Sequence, residues 1–165
     1  MTRNFEIKLL ADCVETIPQL SELQYEEITR HWVPGSSIEG VSQKLMGHAN
    51  RDQLPLTFVA IIDEQSIGMA SLRITDGIQP ELSPWLGGLV VDPAYRGKGV
   101  GEALINQIKQ EALLRHYQVL YLLAFDPTIP KWYSRLGWES IGRDQLFGHA
   151  VAVMQKNLQN GKENK

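Results

Sequence analysis

The most constraining feature of the sequence is a stretch that passes from an apolar strand through a glycine-rich turn into a helix. The apolar run from Leu86 stops at Asp92-Pro93, because proline cannot donate a hydrogen bond to a sheet. Apolar residues then recur at helical spacing, at Val100, Leu104, Ile108 and Ala112. Alternate glycines in the turn leave successive backbone N–H groups free to converge at the start of the helix. The stretch therefore predicts a binding site for an anion.

The spacing of the glycines excludes two common phosphate-binding motifs. In the dinucleotide-binding pattern G-x-G-x-x-G, counted from Gly97, the third glycine would fall on Glu102, whose carboxylate is a poor neighbour for a pyrophosphate. The P-loop pattern fails because Lys98 precedes the second glycine and no Ser or Thr follows it. The pattern R/Q-x-x-G-x-G/A does fit, as Arg96-Gly-Lys-Gly-Val-Gly101.

A second motif follows in the segment Pro130-Lys-Trp-Tyr-Ser-Arg-Leu-Gly-Trp138, which has the form aromatic-Tyr-x-x-x-Gly-aromatic. In this order the two motifs resemble the signatures of the GCN5-related N-acetyltransferases (GNAT). The resemblance implies an enzyme that transfers the acetyl group of acetyl-CoA to a primary amine. Two alternatives remain: a coenzyme A binding or regulatory module without catalysis, and a partner-binding domain in which the glycine turn is only a turn.

Composition bounds the class of protein. With 43% hydrophobic and 21% charged residues, the 165 residues predict one soluble domain over 1–165, with a flexible polar tail at 158–165. A net charge of -3 makes nucleic acid an unsuitable partner. The single cysteine, Cys13, excludes an intrachain disulfide and a cysteine-based metal cluster, and no metal is expected. Because the sequence has neither a signal core nor an apolar run of membrane length, the chain is expected to be cytoplasmic and away from membranes. It is expected to be a monomer or a homodimer.

Hydrophobic periodicity predicts an α/β protein. The predicted strands are 5–9, 56–62, 67–74, 86–91, 119–125, 138–142 and 149–155, and the predicted helices are 14–32, 37–51, 100–116 and a short one that carries Trp132 and Tyr133. The strands before and after helix 100–116 are apolar on consecutive residues, which is typical of parallel strands buried on both faces. We therefore expect a mixed, twisted sheet of about seven strands with helices on both faces. The resemblance adds that the central parallel strands splay apart.

The resemblance also implies which residues bind the coenzyme. Backbone N–H groups of the turn would hold the pyrophosphate, and the pantetheine arm would pair with the free edge of the central strand, where Gly87-Gly88 indicates a bulge or a close approach. Asp126 lies where many family members place an asparagine that contacts the arm, but an ionised aspartate accepts hydrogen bonds and cannot donate them. The cofactor-binding set is Leu89, Val90, Val91, Arg96, Gly97, Lys98, Gly99, Val100, Gly101 and Asp126.

Catalysis requires a general acid and a general base. Tyr133 lies where the family keeps a tyrosine near the coenzyme sulfur, so the resemblance implies that it protonates the departing thiolate. Glu81 is our candidate for a catalytic role as the base. The alternatives are a water chain and the side chains of His31, Asp126, Glu27, His48 and His149.

The acceptor is expected to approach over the first two helices and the loop before the central strand. Between residues 14 and 40 this surface carries Glu15, Glu22, Glu26, Glu27 and Glu39 against only Arg30, and the loop adds Asp76 and Glu81. If they line a groove, the field favours a cationic amine, either a small molecule or a peptide N-terminus, with Trp32, Trp85 and Tyr25 as apolar walls. The alternative is a solvated helix face.

Overall fold

The computed structural model describes residues 4–158 and contains a seven-stranded mixed sheet. Its order is β1-β2-β3-β4-β5-β7-β6, and only the β4–β5 pair is parallel. The strands are β1 (Glu6–Leu9), β2 (Leu56–Ile62), β3 (Gln65–Arg73), β4 (Trp85–Val91), β5 (Val119–Ala124), β6 (Glu139–Leu146) and β7 (His149–Asn157). The expected α/β fold class is confirmed.

The predicted first helix is one continuous helical segment with a change of pitch. It begins as a 3-10 turn at Val14–Thr16, continues as α1 (Ile17–Gln24), widens into a π-helix at Tyr25–Thr29 and ends as α2 (Arg30–Trp32). The other helices are α3 (Ile38–Met46), α4 (Val100–Leu114) and α5 (Ile129–Arg135), with further 3-10 turns at Leu10–Asp12 and Pro93–Tyr95. Among residues 4–158, none of these helices combines the length and the apolar character needed to cross a membrane.

Alternation along the strands directs side chains into two apolar layers. On β2, Phe58 packs with α4 and α5 on one face of the sheet, whereas Val59 packs with α1 and α3 on the other. The residues of α4 that were expected to form its apolar stripe are all buried, and Leu104 and Ile108 have no exposed surface. The sheet is therefore covered by helices on both faces, as expected.

The turns account for the differences from the predicted boundaries. The turn between β2 and β3 consists of Asp63 and Glu64, both at positive φ, so β3 begins at Gln65, earlier than expected. Leu158 was placed in the flexible tail, yet it is buried and its N–H donates to the carbonyl of Gln118. The rest of the predicted tail, residues 159–165, lies outside the described residues.

Candidate active site

The two central strands separate directly after their first residues. β4 and β5 pair only at Trp85 and Tyr121, where the Tyr121 N–H also donates to the Pro84 carbonyl at 3.1 Å. Beyond that point the ladder between them ends, while β4 stays paired with β3 on its other edge. Within residues 4–158, the edge of β4 that faces β5 is therefore unpaired after Trp85. The predicted splay of the central strands is present.

A bulge on β4 accompanies the splay. Ser71 pairs with Gly87 and Met69 with Val90, so two residues of β4 oppose one residue of β3. One of the two, Gly88, has φ +63°, a conformation that side chains disfavour. Gly87 and Gly88 also leave room for the guanidinium of Arg73, whose Nη1 lies 2.5 Å from the position that a Cβ on Gly87 would occupy. The sequence indicated the bulge but not this arginine.

The splayed strands open into a cavity of about 1260 Å³. Ordinary small-molecule sites occupy about 300–1,000 Å³, so this cavity has room for a long ligand and a second one. Its lining comes from the turn before α4, the edge of β4 and the end of β5. The π-helical segment, α3 and the end of β3 with its following loop complete the lining.

The glycine turn forms one end of the cavity. Gly97 and Gly99 have φ +77° and +85°, and no atom lies within 4 Å of a Cβ built on either. Gly99 is the N-cap of α4 and offers no side chain to the first N–H groups of the helix, which are therefore free to bind an anion. At Gly101 the constraint is close packing, because a Cβ there would lie 3.3 Å from the Trp132 ring.

Tyr133 lies in the wall of this cavity, held between two indoles. It is buried and makes edge-to-face contacts with Trp132 and Trp138, at ring-centroid distances of 5.0 and 5.5 Å. No described residue forms a hydrogen bond with its hydroxyl, so that group is free to meet a ligand. Burial raises the pKa of the Tyr133 phenol, which keeps it protonated at neutral pH.

Comparison with known families identifies this arrangement. The acetyltransferase (GNAT) domain family matches residues 53–140, which is more than half of the chain and includes both glycine turn and Tyr133. The chain belongs to the GNAT family. The expected family is confirmed.

One curated relative and several solved structures are similar to this GNAT chain. The N-acetylaspartate synthetase of Xenopus tropicalis is 30% identical over 103 residues, which cover 61% of the chain but only 36% of that relative. An aminoglycoside 6'-acetyltransferase type Ii superposes with a TM-score of 0.72 at 18% identity, covering 93% of this chain and 97% of the other. The ribosomal-protein-alanine N-acetyltransferase of Brucella melitensis gives 0.72 at 23% identity, covering 92% and 99%. At such identities the two structures show a shared fold.

The structure brings most of the predicted coenzyme-binding residues of this GNAT chain together. Of that set, only Lys98 does not line the cavity; it is exposed. Arg96 does line it, but its side chain is engaged, with Nε donating to the Val91 carbonyl at 3.2 Å and Nη2 donating to Glu27 at 2.9 Å. Arg96 thus ties the end of β4 to the π-helical segment rather than standing free at the rim.

Asp126 lines the cavity with its carboxylate partly occupied. Its Oδ1 accepts hydrogen bonds from the N–H and the hydroxyl of Thr128, at 2.9 and 2.8 Å. These bonds lower the pKa of Asp126, so it stays ionised and is a poor proton acceptor. The structure therefore weakens the case for Asp126 as the general base.

The other candidate bases fall into two groups. Glu81 is exposed and does not line the cavity, so the structure does not bring it to Tyr133. His149 packs edge-to-face on Trp32 beside a neighbouring, smaller pocket. Three candidates do line the cavity, namely Glu27, His31 and His48. Within residues 4–158, no cluster of three or more His, Cys, Asp or Glu is arranged to hold a metal ion.

The acceptor side fits the alternative of a solvated helix face better than an acidic groove. Of the acidic residues predicted there, only Glu27 and Asp76 line the cavity, and each is ion-paired, with Arg96 and Arg73 respectively. The expected apolar walls are also wrong in part, because Trp85 has no exposed surface and Tyr25 lines the smaller pocket. Trp32 does line the cavity and stacks on Phe125 at 5.6 Å.

Two basic residues that sequence reasoning missed lie on this side. Lys44 of α3 and Arg73 of β3 both line the cavity. The charge count that suggested an acidic groove ended before Lys44, and Arg73 sat inside a strand that was expected only to build the sheet. The signal that could have found Arg73 is the Gly87-Gly88 pair, since glycines in a strand indicate a close neighbour.

Proposed function

We propose that this GNAT enzyme transfers the acetyl group of acetyl-CoA to a primary amine, carried by a small molecule or a peptide N-terminus, with Tyr133 as the general acid. The observation that carries the proposal is the unpaired edge of β4, which runs from Trp85 along a cavity bounded by the free N-terminus of α4 and by Tyr133. One wall thus combines an anion site, a strand edge and a proton donor.

The coenzyme fits the residues present. The free N–H groups at the start of α4 and the open space beside Gly97 and Gly99 suit a pyrophosphate. The N–H of Leu89 is then available to the thioester carbonyl, and the backbone of Val91 to the pantetheine amide, as an added strand pairs with a sheet edge. When bound, acetyl-CoA supplies the activated acetyl group as a thioester. Lys98 contributes charge only at long range.

The chain's residues would then handle charge and protons. The acceptor nitrogen forms a bond to the acetyl carbon, the carbon–sulfur bond breaks, the nitrogen loses a proton and the thiolate gains one. An N–H of Leu89 stabilises the oxygen that becomes negative. Tyr133 gives its hydroxyl proton to the sulfur; the desolvation that raises the phenol pKa raises the pKa of a thiol in the same cavity as well.

The amine must also lose a proton before or during attack, since primary amines are protonated at neutral pH. Glu81 remains a prediction without support from its position. Glu27 and His31 lie on the helical segment across from β4 and line the cavity. In this proposal the proton leaves through water to one of these two side chains.

The comparisons support an amine acceptor. The curated relative is named N-acetylaspartate synthetase, and two similar structures are named for acetylation of aminoglycosides and of a ribosomal-protein alanine. Since the match covers only 36% of the curated relative, its activity is carried to this chain as part of the proposal. The name favours a small amine over a protein lysine.

A thiol-release assay with acetyl-CoA tests the proposal. The acceptor panel comprises amino acids, their amides, an aminoglycoside, a polyamine and an alanine-terminated peptide, and mass spectrometry identifies the N-acetylated product. We expect amine-dependent thiol release with at least one member. Stabilisation by acetyl-CoA without any amine-dependent release would instead indicate a coenzyme-binding module, and absence of both would show that the cavity is not a coenzyme site.

A further inference from the structure

A basic cluster forms the end of the cavity opposite the glycine turn. We define it as Lys44 on α3, His48 just beyond α3 and Arg73 at the end of β3, and all three line the cavity. Asp76 is the carboxylate of this region, and it accepts from Arg73 Nη1 at 2.6 Å. The remaining carboxylates of the cavity belong to its other parts: Glu27, held by Arg96, Glu102 in the first turn of α4, and Asp126 after β5.

The cluster carries a net positive charge. Lys44 and Arg73 are cations, and Asp76 offsets only one of them. The charge of Arg73 is the largest cause that lowers the pKa of Lys44, and burial followed by Arg73 lowers the pKa of His48 to about 4. His48 is therefore neutral at physiological pH. At Lys44, the repulsion from Arg73 outweighs the attraction of Asp76. An anion placed between them would remove that repulsion.

Several polar atoms around the cluster lack partners. Arg73 and Asp76 have side chains only 14% exposed, yet Arg73 Nε forms no hydrogen bond with any described residue. The same is true of His48 Nε2 and of Gln24 Oε1, on the neighbouring face of α1. Buried polar atoms are nearly always bonded, so a group of orphaned ones on the wall of a cavity marks the place where a polar ligand binds. Of these three atoms, Arg73 Nε is a donor and suits an anion. Gln24 Oε1 is an acceptor, and so is His48 Nε2, because Nδ1 of the neutral ring donates to the Lys44 carbonyl; these two suit the hydrogens of an amine.

The cluster is adjacent to the reacting position. The guanidinium of Arg73 lies against Gly87 and Gly88, with Nη2 at 2.9 Å from a Cβ position on Gly88. Leu89, whose N–H would meet the thioester carbonyl, is the next residue on β4. An anion bound to Arg73 would therefore lie near the position proposed for the thioester.

From this geometry we infer that the acceptor carries a carboxylate beside its reacting amine, as an amino acid does, and that Arg73 and Lys44 bind this carboxylate. The inference rests on the proposed acetyl transfer and names its substrate class. A bare amine or a polyamine would bring no anion to offset the charge that Arg73 and Lys44 carry in excess of Asp76, and would add a further cation to the cluster. Arg73 also supports the bulge, whereas Lys44 is an exposed residue of α3.

Matched acceptors test the inference. Each amino acid is compared with its own carboxamide, which keeps the amine and the side chain but removes the negative charge. We expect the wild type to favour the acid over the amide in kcat/KM by about tenfold or more, as for other hydrogen bonds to a charged group. Because the amide's amine is less basic, proton loss alone would favour the amide, so a preference for the acid reports recognition of the carboxylate.

Variants then assign the preference to the cluster. Lys44→Gln should reduce the acid-to-amide ratio several-fold by raising KM for the acid, whereas KM for the amide should not rise, because the amide has no carboxylate to lose. Arg73→Gln should remove the preference for the acid, so that the acid and its amide have similar kcat/KM values. Arg73→Lys should restore part of this preference, because it keeps the positive charge. Lys8→Gln is the matched control, since Lys8 is an exposed lysine of β1 outside the cavity.

The outcomes separate the two proposals. A wild type that acetylates amides or simple amines as well as acids overturns the carboxylate inference and leaves acetyl transfer intact. A ratio that Lys44→Gln and Arg73→Gln leave unchanged also overturns it, because the selectivity then comes from elsewhere. Failure to acetylate any amine overturns the proposed function and this inference together.

Discussion

The guanidinium of Arg73 fills the space that a side chain on Gly87 would need: its Nη1 lies 2.5 Å, and its Cζ 2.9 Å, from the position of a Cβ on Gly87. Even a methyl group there must displace a guanidinium that is ion-paired with Asp76 and largely buried. The position of Arg73 in the basic cluster therefore requires a glycine at residue 87 of β4.

Gly87→Ala should therefore destabilise the fold and disturb acceptor selection. Overpacking of this kind costs about 1–3 kcal/mol. We expect chemical denaturation to show that loss, and the preference for the acid over its amide to fall with it. Gly47→Ala is the control, since φ is -72° there and a Cβ would lie at an ordinary 3.4 Å from the Lys44 carbonyl. Equal stability of Gly87→Ala and wild type would mean that Arg73 moves aside freely.

Gly99→Glu tests the anion site at the start of α4. The carboxylate would project into the open space beside Gly99 and repel the pyrophosphate. At a ligand concentration of 100 times Kd, acetyl-CoA should stabilise the wild type by about 2.7 kcal/mol. In a thermal-shift measurement this stabilisation should disappear in Gly99→Glu.

Two controls separate charge from backbone strain at this position. Gly99→Asn tolerates the left-handed conformation without adding charge and should keep most of the stabilisation. Gly148→Glu places the same new side chain at φ +82°, in a hairpin turn outside the cavity, and should keep all of it. Full stabilisation of Gly99→Glu would show that the turn does not hold the coenzyme.

His48 should make stability depend on pH. Its pKa of about 4 in the folded protein lies below the usual 6.5, so the unfolded chain binds more protons between these values. The stability that His48 contributes to the folded protein is fully present above pH 6.5 and is lost as the pH falls toward 4. Between pH 6.5 and 4.5 the free energy of unfolding should drop by about 2–3 kcal/mol from this residue alone.

A variant isolates this contribution. His48→Gln should flatten the decline in denaturation curves recorded from pH 6.5 to 4.5, whereas His116→Asn, at an exposed histidine just after α4, should decline like the wild type. A wild type whose stability is constant over this range would show that His48 is not buried in the neutral form.

The parts of the site that sequence reasoning found are those carried by local motifs. The turn from Arg96 to Gly101 and the short helix with Tyr133 each have their residues close together in the chain, so spacing alone reveals them. The register of β3 against β4 is a long-range property that no local pattern encodes. The Gly87-Gly88 pair indicated a close neighbour, but only the register identifies that neighbour as Arg73.

The sequence could not decide between an acidic groove and a solvated helix face for a related reason. The net charge of a helical segment does not show which of its side chains face the cavity and which face solvent. The π-helical turns Tyr25–Thr29 rotate the end of that segment, so that Glu27 meets Arg96 while Glu26 stays half exposed beside Arg30. Lys44 reaches the cavity only because α3 packs against α1, which again is a tertiary contact.

Tyr133→Phe tests the mechanism most directly, with Tyr117→Phe as a control that removes a hydroxyl from a partly buried tyrosine outside the cavity. Phenylalanine keeps the packing between Trp132 and Trp138, so the Kd for acetyl-CoA and the thermal stability should stay close to those of the wild type. The account predicts that kcat with the best amine falls by about 10²-fold or more in Tyr133→Phe, the usual share of a general acid, and is unchanged in Tyr117→Phe. A Tyr133→Phe enzyme with the wild-type kcat would contradict it.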